Sequence, residues 1–268
     1  MWGEGVRCVV ALSFDVDAET IWMTNFRQPT PGPLSRGEYG PRVGVPRILK
    51  LLDTYEIKAS FFIPGWTAEH YPHVVESIYA KSHEIGHHGY LHELAHRLEE
   101  GEERRVLELG TACLRQITGE VPRGYRSPAG NLSPNTLRLL SEYGFTYDSS
   151  LTADDWPYFL TIDGRQTRLV ELPWSWELDD APHFLFSFYP YHTGLAAPSK
   201  VFEIWASEFD IAYEEGGLYS LVMHPQVIGR RHRMRMLEEL IRHMRARPGV
   251  SFARHIDIAQ LWLQNHAP

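Results

Sequence analysis

Two carboxylates that directly follow an apolar segment are the residues of this chain most suggestive of chemistry. Residues 6–12 are mostly apolar and predict a buried strand, and Asp15 and Asp17 stand at its end. Side chains two positions apart on a strand point to the same side, and buried carboxylates are costly unless they are paired or bind a metal. One carboxylate could hold a metal ion while the other accepts a proton from water. Solvated carboxylates at a strand exit have the same pattern.

Histidines with metal-ligand spacing lie shortly after another predicted strand. His88 and His92 are four residues apart, and on a helical turn that spacing brings two imidazoles onto one face. His92 and His96 share the spacing and His87 is adjacent, so spacing alone does not choose among them, and such pairs also occur on ordinary surfaces. Two imidazoles and one strand-end aspartate would leave an open position for water, as catalytic zinc sites require.

Two further basic side chains also follow predicted strands. His224 comes after residues 218–223 and could be a general acid or a core histidine. Arg126 ends a short predicted strand, where it could hold a catalytic carboxylate ionised or form a structural ion pair. The carboxyl ends of parallel barrel strands meet at one face, so the shared placement of these groups indicates an active site there.

The composition limits the fold and the partners. The chain has 268 residues, of which 43% are hydrophobic, and a formal charge of −8, which suits one α/β domain over 1–268 and argues against nucleic-acid binding. It contains no apolar segment of signal-peptide or membrane-spanning length. Cys8 and Cys113 are predicted to be buried thiols. We therefore expect a cytoplasmic protein that binds neither membranes nor nucleic acid.

Strand-like and helix-like segments alternate, which predicts a parallel β/α architecture. Eight strands are predicted, at 7–15, 58–63, 84–87, 124–126, 145–148, 169–173, 218–223 and 250–253. Helices are predicted from 44, at 70–81, 98–117, 134–143, 199–215 and 231–246, and from 257. This pattern favours an α/β fold of the distorted parallel barrel type, with seven to eight strands, over an open doubly wound sheet. Segment 20–42, rich in proline, glycine and aromatic residues, is predicted to be a long functional loop.

In combination these motifs resemble the polysaccharide deacetylases that share the NodB homology domain, carbohydrate esterase family 4. The resemblance spans residues 14–227, with the motifs in the family's order: Phe14-Asp-Val-Asp17, His88-Gly-Tyr-Leu-His92, Arg126-Ser-Pro128, Trp176-Glu-Leu-Asp-Asp180 and His224. The roles that it implies are a catalytic base for Asp15, metal ligands for Asp17, His88 and His92, orientation of the base for Arg126, and a catalytic acid for His224.

Details resemble a sub-branch that includes peptidoglycan-deacetylase-like enzymes, cyclic imide hydrolases and metal-independent allantoinases. That likeness implies a NodB-type, TIM-like barrel and a homotetramer. The third motif usually ends in Pro-Tyr, whereas Pro128 is followed here by Ala129, whose backbone N–H would still serve as the oxyanion contact. Asp17 is an acidic ligand that the allantoinase branch lacks, which disfavours allantoin and favours a metal.

These observations predict a metal-dependent hydrolase of non-peptide C–N bonds, with Zn²⁺ as the metal. The expected substrate is an N-acetylated amino sugar. The alternatives are a small cyclic amide or imide as substrate and, in another class, an inactive sugar-binding barrel. Segment 20–42 and the tetrameric relatives favour a homo-oligomer with a closed site. The residues predicted to contact substrate are Glu19, Trp22, Tyr90, Ala129, Trp176, Asp179 and Asp180.

Overall fold

The computed structural model describes residues 2–188 and 191–267 and is built around one large sheet. The strands are β1 (Cys8–Asp15), β2 (Ser60–Ile63), β3 (Glu84–His87), β4 (Gly124–Tyr125), β5 (Tyr147–Asp148), β6 (Tyr158–Ile162), β7 (Arg165–Glu171), β8 (Phe186–Ser187), β9 (His192–Thr193), β10 (Leu218–Met223) and β11 (Val250–Phe252). Among these described residues, β8 and β9 form a separate pair and the other nine strands form the sheet, in the order β10-β1-β2-β3-β4-β5-β7-β6 with β11 beside β1.

The sheet is mostly parallel and curls toward a barrel. Its neighbouring strands run parallel, except that β6 is antiparallel to β7. Beyond β7 the chain returns to the opposite edge, where Asp179 forms a parallel bridge with Val222 of β10. This arrangement confirms the predicted α/β class and the distorted, mostly parallel barrel.

β1 is an interior strand of the sheet, and the alternation of its side chains determines the direction of the first carboxylate. β10 pairs along one edge of β1, and β11 and β2 share the other. All eight residues of β1 are buried, because both faces of the strand are covered by apolar clusters. Val9 and Ala11 join a cluster with residues of β2, β5, β7 and β10, strands that can meet only across the concave side of the sheet. Asp15 continues this odd-numbered series, so its carboxylate faces the concave side at the carboxyl end of the strand.

Helices form the remaining elements. They are α1 (Thr20–Met23), α2 (Pro31–Tyr39), α3 (Val45–Thr54), α4 (Gly65–His70), α5 (Pro72–Tyr79), α6 (Glu100–Thr118), α7 (Thr136–Glu142), α8 (Asp180–Phe184), α9 (Pro198–Glu215), α10 (Pro225–Ile228), α11 (Arg231–Arg245) and α12 (His255–Asn265). None of the helices within residues 2–188 and 191–267 has both the length and the apolar character needed to span a membrane. Cys8 and Cys113 are buried free thiols, as predicted.

The prediction of a long loop at 20–42 is wrong, because most of this segment is helical. It contains α1 and α2 and leads into a π-helical turn at Gly40–Gly44. Proline is compatible with the first turn of a helix, and Pro31 begins α2. A Cβ on Gly37 would lie 2.5 Å from the backbone oxygen of Ala18, so this glycine permits close packing of α2. The glycine and proline content therefore reflects helix initiation and backbone contact.

The hairpin between β6 and β7 is absent from the prediction, which had only one strand at 169–173. Asp163 and Gly164 form its turn with φ of 49° and 75°, the positive values that two-residue hairpin turns require. The helix predicted at 70–81 is confirmed as α5, but α4, which precedes it and ends at His70, was not predicted, so this part of the chain contains two helices. The division falls before Pro72, which has no N–H to continue the hydrogen bonds of α4.

Candidate active site at the carboxyl ends of the strands

Five of the side chains that the sequence predicts to be functional meet where the parallel strands end. Asp15 closes β1, and Asp17 follows it by two residues; His88 follows β3, Arg126 follows β4 and His224 follows β10. All five are buried, with exposed fractions of 0–8%. Ionisable groups are rarely so enclosed unless they are paired or functional. The fold thus brings together residues that are far apart in sequence.

Asp17, His88 and His92 form a three-residue cluster with the donor set of a metal site. Asp17 Oδ1 lies 3.4 Å from His88 Nε2 and 3.8 Å from His92 Nε2, and one ligand atom of each residue lies within 4.8 Å of the others. Although it is buried, Asp17 Oδ1 has no hydrogen-bond partner among the described residues. Its other oxygen accepts from Gln226 Nε2 at 3.2 Å.

The imidazoles of His88 and His92 are each oriented by a hydrogen bond at Nδ1, on the side of the ring away from Asp17. His88 Nδ1 lies 2.7 Å from the carbonyl oxygen of Arg126, and His92 Nδ1 lies 2.7 Å from Asn25 Oδ1. Because each partner is a pure acceptor, each Nδ1 carries the proton in the neutral ring, and the Nε2 lone pairs face Asp17. Metal-binding histidines are commonly fixed in this way.

The ionisation of the cluster also fits a divalent cation. Burial lowers the pKa of His92 to about 4, so this ring is neutral at pH 7. Burial would also lower the pKa of His88, but the carboxylates of Asp15 and Asp17 raise it above 6.5. Burial would raise the pKa of Asp17, yet the neighbouring histidines keep it well below its usual range. Two imidazoles and one carboxylate are a ligand set suited to zinc.

The expectation that His88 and His92 share a helical turn is wrong, because the segment is an irregular loop. Gly89 and His92 have positive φ, 72° and 57°, and the Glu93 carboxylate accepts the backbone N–H groups of residues 90 and 91. His87 turns away, with Nε2 3.2 Å from the carbonyl oxygen of Leu107. His96 lies in an exposed 3₁₀ turn.

Asp15 is held by a buried arginine. Arg126 Nη1 donates to Asp15 Oδ1 at 2.9 Å and to Ser13 Oγ at 2.8 Å, while its guanidinium stacks 4.1 Å from the Phe62 ring centroid. The second oxygen, Asp15 Oδ2, lies 3.9 Å from His88 Nε2. One carboxylate oxygen is therefore anchored, and the other faces the cluster of Asp17, His88 and His92.

His224 stands opposite Asp15 and is paired with Asp180. Its Nδ1 lies 2.6 Å from Asp180 Oδ1 and 3.7 Å from Asp179 Oδ1, and its backbone N–H donates to Asp180 Oδ2 at 3.0 Å. Burial would lower the pKa of His224, but the carboxylates of Asp180, Asp179 and Asp17 raise it well above 6.5. A protonated imidazole in this position could act as a general acid.

A cavity of about 120 Å³ lies between Asp15 and His224. Ala129 borders it and has φ of 57°, in the turn Pro128–Gly130. Trp176, 49% exposed, stands at the cavity against Trp174, with ring centroids 4.7 Å apart. Asp179 also lines the cavity, whereas Asp180 lies behind His224.

Three other residues predicted to contact substrate lie elsewhere. Glu19 Oε1 accepts from the Tyr71 hydroxyl at 2.5 Å. Trp22 is 1% exposed and stacks on Phe26, with ring centroids 4.8 Å apart. The Tyr90 hydroxyl donates to a glutamate of α4 at 2.8 Å. Helix α1 places Trp22 in the core rather than over the cavity.

Several residues that support the site were not anticipated from sequence. Asn25 holds His92, Gln226 donates to Asp17, and Ser149 accepts from Arg126 through both its carbonyl and its hydroxyl oxygen. Gln226 closely follows the His-Pro pair at the end of β10, which is a weak positional signal. Asn25 and Ser149 lie in unremarkable segments, and only their tertiary contacts reveal them.

This fold and site define the class of the protein. The family model described as polysaccharide deacetylase matches residues 38–147. A peptidoglycan deacetylase of Helicobacter pylori is 31% identical over 284 residues, covering 96% of this chain and 97% of that protein. The chain therefore belongs to the polysaccharide deacetylase family and is a hydrolase of the type that acts on C–N amide bonds, which confirms the resemblance inferred from its motifs.

Two solved structures share the fold of this chain over nearly its whole length. A polysaccharide deacetylase described as putative, from Mycobacterium smegmatis, is 39% identical, covers 100% of this chain and 94% of its own, and superimposes with a TM-score of 0.94. An allantoinase is 27% identical, with coverage of 99% and 93% and a TM-score of 0.85. The same fold and chain length thus occur in relatives described by two different activities.

Proposed function

We propose that this protein is a metal-dependent deacetylase that removes the N-acetyl group of an amino sugar, with Zn²⁺ bound by Asp17, His88 and His92. The observation that carries the proposal is that Asp17 Oδ1 is buried, has no hydrogen-bond donor among the described residues, and faces two imidazole Nε2 atoms. A buried anionic oxygen without a donor is costly, and a cation would remove that cost. The Helicobacter pylori peptidoglycan deacetylase supports the substrate class.

The remaining groups account for the proton transfers of amide hydrolysis. A divalent cation supplies Lewis acidity and lowers the pKa of water when bound. Asp15, held at Oδ1 by Arg126, accepts a proton from the attacking water through Oδ2. The backbone N–H of Ala129 donates to the carbonyl oxygen as it becomes negative. His224 gives its proton to the amide nitrogen, so the C–N bond breaks and acetate and a free amine leave.

The direct test measures acetate release from N-acetylglucosamine oligomers by the purified protein, before and after chelation. We expect turnover that is lost with the metal and restored by Zn²⁺. Turnover that survives complete removal of metal would contradict the proposal. Sugar binding without any turnover by the zinc-loaded protein would instead favour an inactive sugar-binding barrel.

A cyclic amide or imide is the second candidate substrate, and the size of the cavity favours it. The space of about 120 Å³ is bounded in part by Ile21, Val222 and Trp174, and would suit a small ring better than a long glycan. The 27% identical allantoinase gives this alternative some support. Asp15 and His224 could carry the same two proton transfers for a C–N bond within a ring.

A parallel assay distinguishes the two substrates. The zinc-loaded protein is offered N-acetylglucosamine oligomers of increasing length, and separately succinimide and hydantoin. The deacetylase proposal predicts a higher kcat/KM for at least one oligomer than for either ring. Ring opening with no acetate release would replace the sugar with the cyclic substrate while leaving the roles of the residues intact.

We also propose a cytoplasmic homotetramer, in which a neighbouring subunit narrows the site. Large exposed apolar side chains support an interface: Trp176, which lines the cavity, is 49% exposed, and Phe188 and Tyr191 at 73% each and Leu195 at 64% are exposed as well. Light scattering should give a mass near four times 30.9 kDa. A monomer would refute the tetramer and would make long glycans easier to admit.

A further inference from the structure

Asp148 and Glu171 form a buried pair of carboxyl groups beside the site. They are register partners on the parallel strands β5 and β7, and both are 0% exposed. Asp148 Oδ2 and Glu171 Oε2 are buried and find no hydrogen-bond donor among the described residues, although the two residues lie directly beside each other in the register of β5 and β7. Two adjacent anions would repel strongly in so poorly screened a place. A proton held between the two carboxyl groups would remove this repulsion and supply the donor that both oxygens lack.

The other two oxygens of the pair hold the backbone that leads to the cavity. Glu171 Oε1 accepts the N–H of Ser150 and the N–H of the next residue, each at 2.9 Å. Asp148 Oδ1 accepts from Ser150 Oγ at 2.6 Å, and Ser150 Oγ accepts from the N–H of Ser127 at 2.9 Å. This chain of hydrogen bonds ends at the residue that enters the turn carrying Ala129.

Ser149, which follows the pair member Asp148, holds the arginine of the site. Its carbonyl oxygen accepts from Arg126 Nε at 3.0 Å, and its hydroxyl oxygen accepts from Arg126 Nη2 at 2.9 Å. Arg126 Nη1 in turn donates to Asp15. Residues 148–150 thus fix both the arginine beside Asp15 and the approach to Ala129.

We propose that Asp148 and Glu171 share one proton and act as a positioning pair for Arg126 and the turn that carries Ala129. The pair needs that proton because neither carboxyl group is solvated, so two full negative charges would repel each other without screening. One proton shared between Asp148 Oδ2 and Glu171 Oε2 leaves the other two oxygens free to accept their hydrogen bonds. The functional half of this inference rests on the proposed function of the site, whereas the shared proton can be tested without a substrate.

The surroundings of the pair keep the proton bound. Burial raises the pKa of both Asp148 and Glu171, and the Arg126 cation opposes the increase for Asp148. The other titratable groups facing the pair are Tyr125, Tyr147 and Tyr158, whose pKa burial raises so that they stay neutral, and Asp154 near Tyr158. A folded-state pKa above the unfolded value makes the contribution of the pair to stability largest at low pH and reduces it as pH rises.

Glu171→Gln tests the shared proton, because the glutamine amide reproduces a protonated carboxyl group. Its oxygen can accept the same two backbone N–H groups, and its NH₂ can donate to Asp148 Oδ2. We expect this variant to keep its kcat and to lose less thermal stability than the wild type between about pH 6 and about pH 9. Glu103→Gln is the matched control, since Glu103 is also buried but accepts from Ser133 and Thr136 instead.

Glu171→Ala tests positioning. With an N-acetylglucosamine oligomer as the probe, we expect kcat to fall by roughly 10- to 100-fold, with metal content and KM little changed. A wild-type pH dependence of unfolding in Glu171→Gln would overturn the shared proton. Equal loss of kcat in Glu171→Gln and Glu171→Ala would overturn the positioning role. If no variant, including the wild type, turns over the probe, the proposed function fails, and the unfolding data still decide the shared proton.

Discussion

Two clusters of histidine and aspartate lie at the same end of the barrel, and they differ in the group that is hydrogen-bonded to the imidazole Nδ1. His88 and His92 place Nδ1 2.7 Å from neutral carbonyl and amide oxygens. His224 places Nδ1 2.6 Å from the carboxylate of Asp180. The distances are nearly equal, but only the second partner is a buried acid.

This difference in the Nδ1 partner favours metal binding by the first cluster and proton transfer by the second. A neutral acceptor fixes the tautomer and leaves the Nε2 lone pair for a metal, whereas a carboxylate favours the imidazolium, which cannot bind one. Both Asp17-His88-His92 and Asp179-Asp180-His224 have ligand atoms close enough for a cation. We therefore expect the first set to hold the metal and the second to hold a proton.

The largest expected effect is the loss of bound metal and of turnover when a residue of the first cluster is replaced, which the same substitution in the second cluster should not cause. Asp17→Asn should release the metal and abolish turnover, because it removes the only anion of the ligand set. His88→Ala should do the same. Asp180→Asn, the same chemical change in the other cluster, should retain one metal per chain by elemental analysis. Stoichiometric metal in His88→Ala would show that the ligand assignment is wrong.

The second effect separates base from ligand. Asp15→Asn should keep the metal while kcat falls by about 10²- to 10⁴-fold, since the side chain can still bond Arg126 but cannot take a proton. Steady-state kinetics and metal analysis of the same preparation provide the check. Loss of metal in this variant would mean that Asp15 and Asp17 have exchanged roles.

A smaller effect concerns the acid. Asp180→Asn removes the nearest charge that raises the pKa of His224, so the imidazolium should lose its proton at lower pH. Because a general acid must be protonated, the alkaline limb of the kcat/KM profile should move to lower pH, with the acidic limb unchanged. An alkaline limb that stays at the wild-type position would remove His224 from the role of acid.

The smallest effect concerns the support of the metal ligand. Asn25→Ala removes the acceptor of His92 Nδ1–H and should weaken zinc affinity by roughly 10- to 100-fold without changing the ligands. A competition titration with a chelator measures this change. Unaltered affinity would show that the loop itself, and not Asn25, orients His92.

Much of the fold follows from local sequence patterns, and the misses have physical causes. The apolar runs that end at Asp15 and at His224 identify β1 and β10, because parallel strands that are buried on both faces consist of continuous apolar residues. Segment 20–42 was mistaken for a loop because glycine and proline composition does not reveal close helix packing. The β6–β7 hairpin was missed although its Asp-Gly turn is a recognisable signal.

The site also contains some residues that could be predicted from the sequence and others that could not. Residues placed directly after strands could be predicted, because the carboxyl ends of parallel strands converge by topology. Their partners Asn25 and Ser149 are defined by tertiary contacts across the barrel, which no local pattern encodes. Trp22 illustrates the converse error, since an aromatic residue close to Asp17 in sequence is packed into the core.

Anomalous diffraction from a zinc-loaded crystal, recorded at the zinc absorption edge, would show which of the two clusters holds the metal. We expect one strong peak bounded by Asp17 Oδ1, His88 Nε2 and His92 Nε2, at about 2.0–2.2 Å from each. We expect no peak beside His224. A peak held by Asp179, Asp180 and His224 with none at Asp17 would contradict the assignment of metal to one cluster and proton to the other.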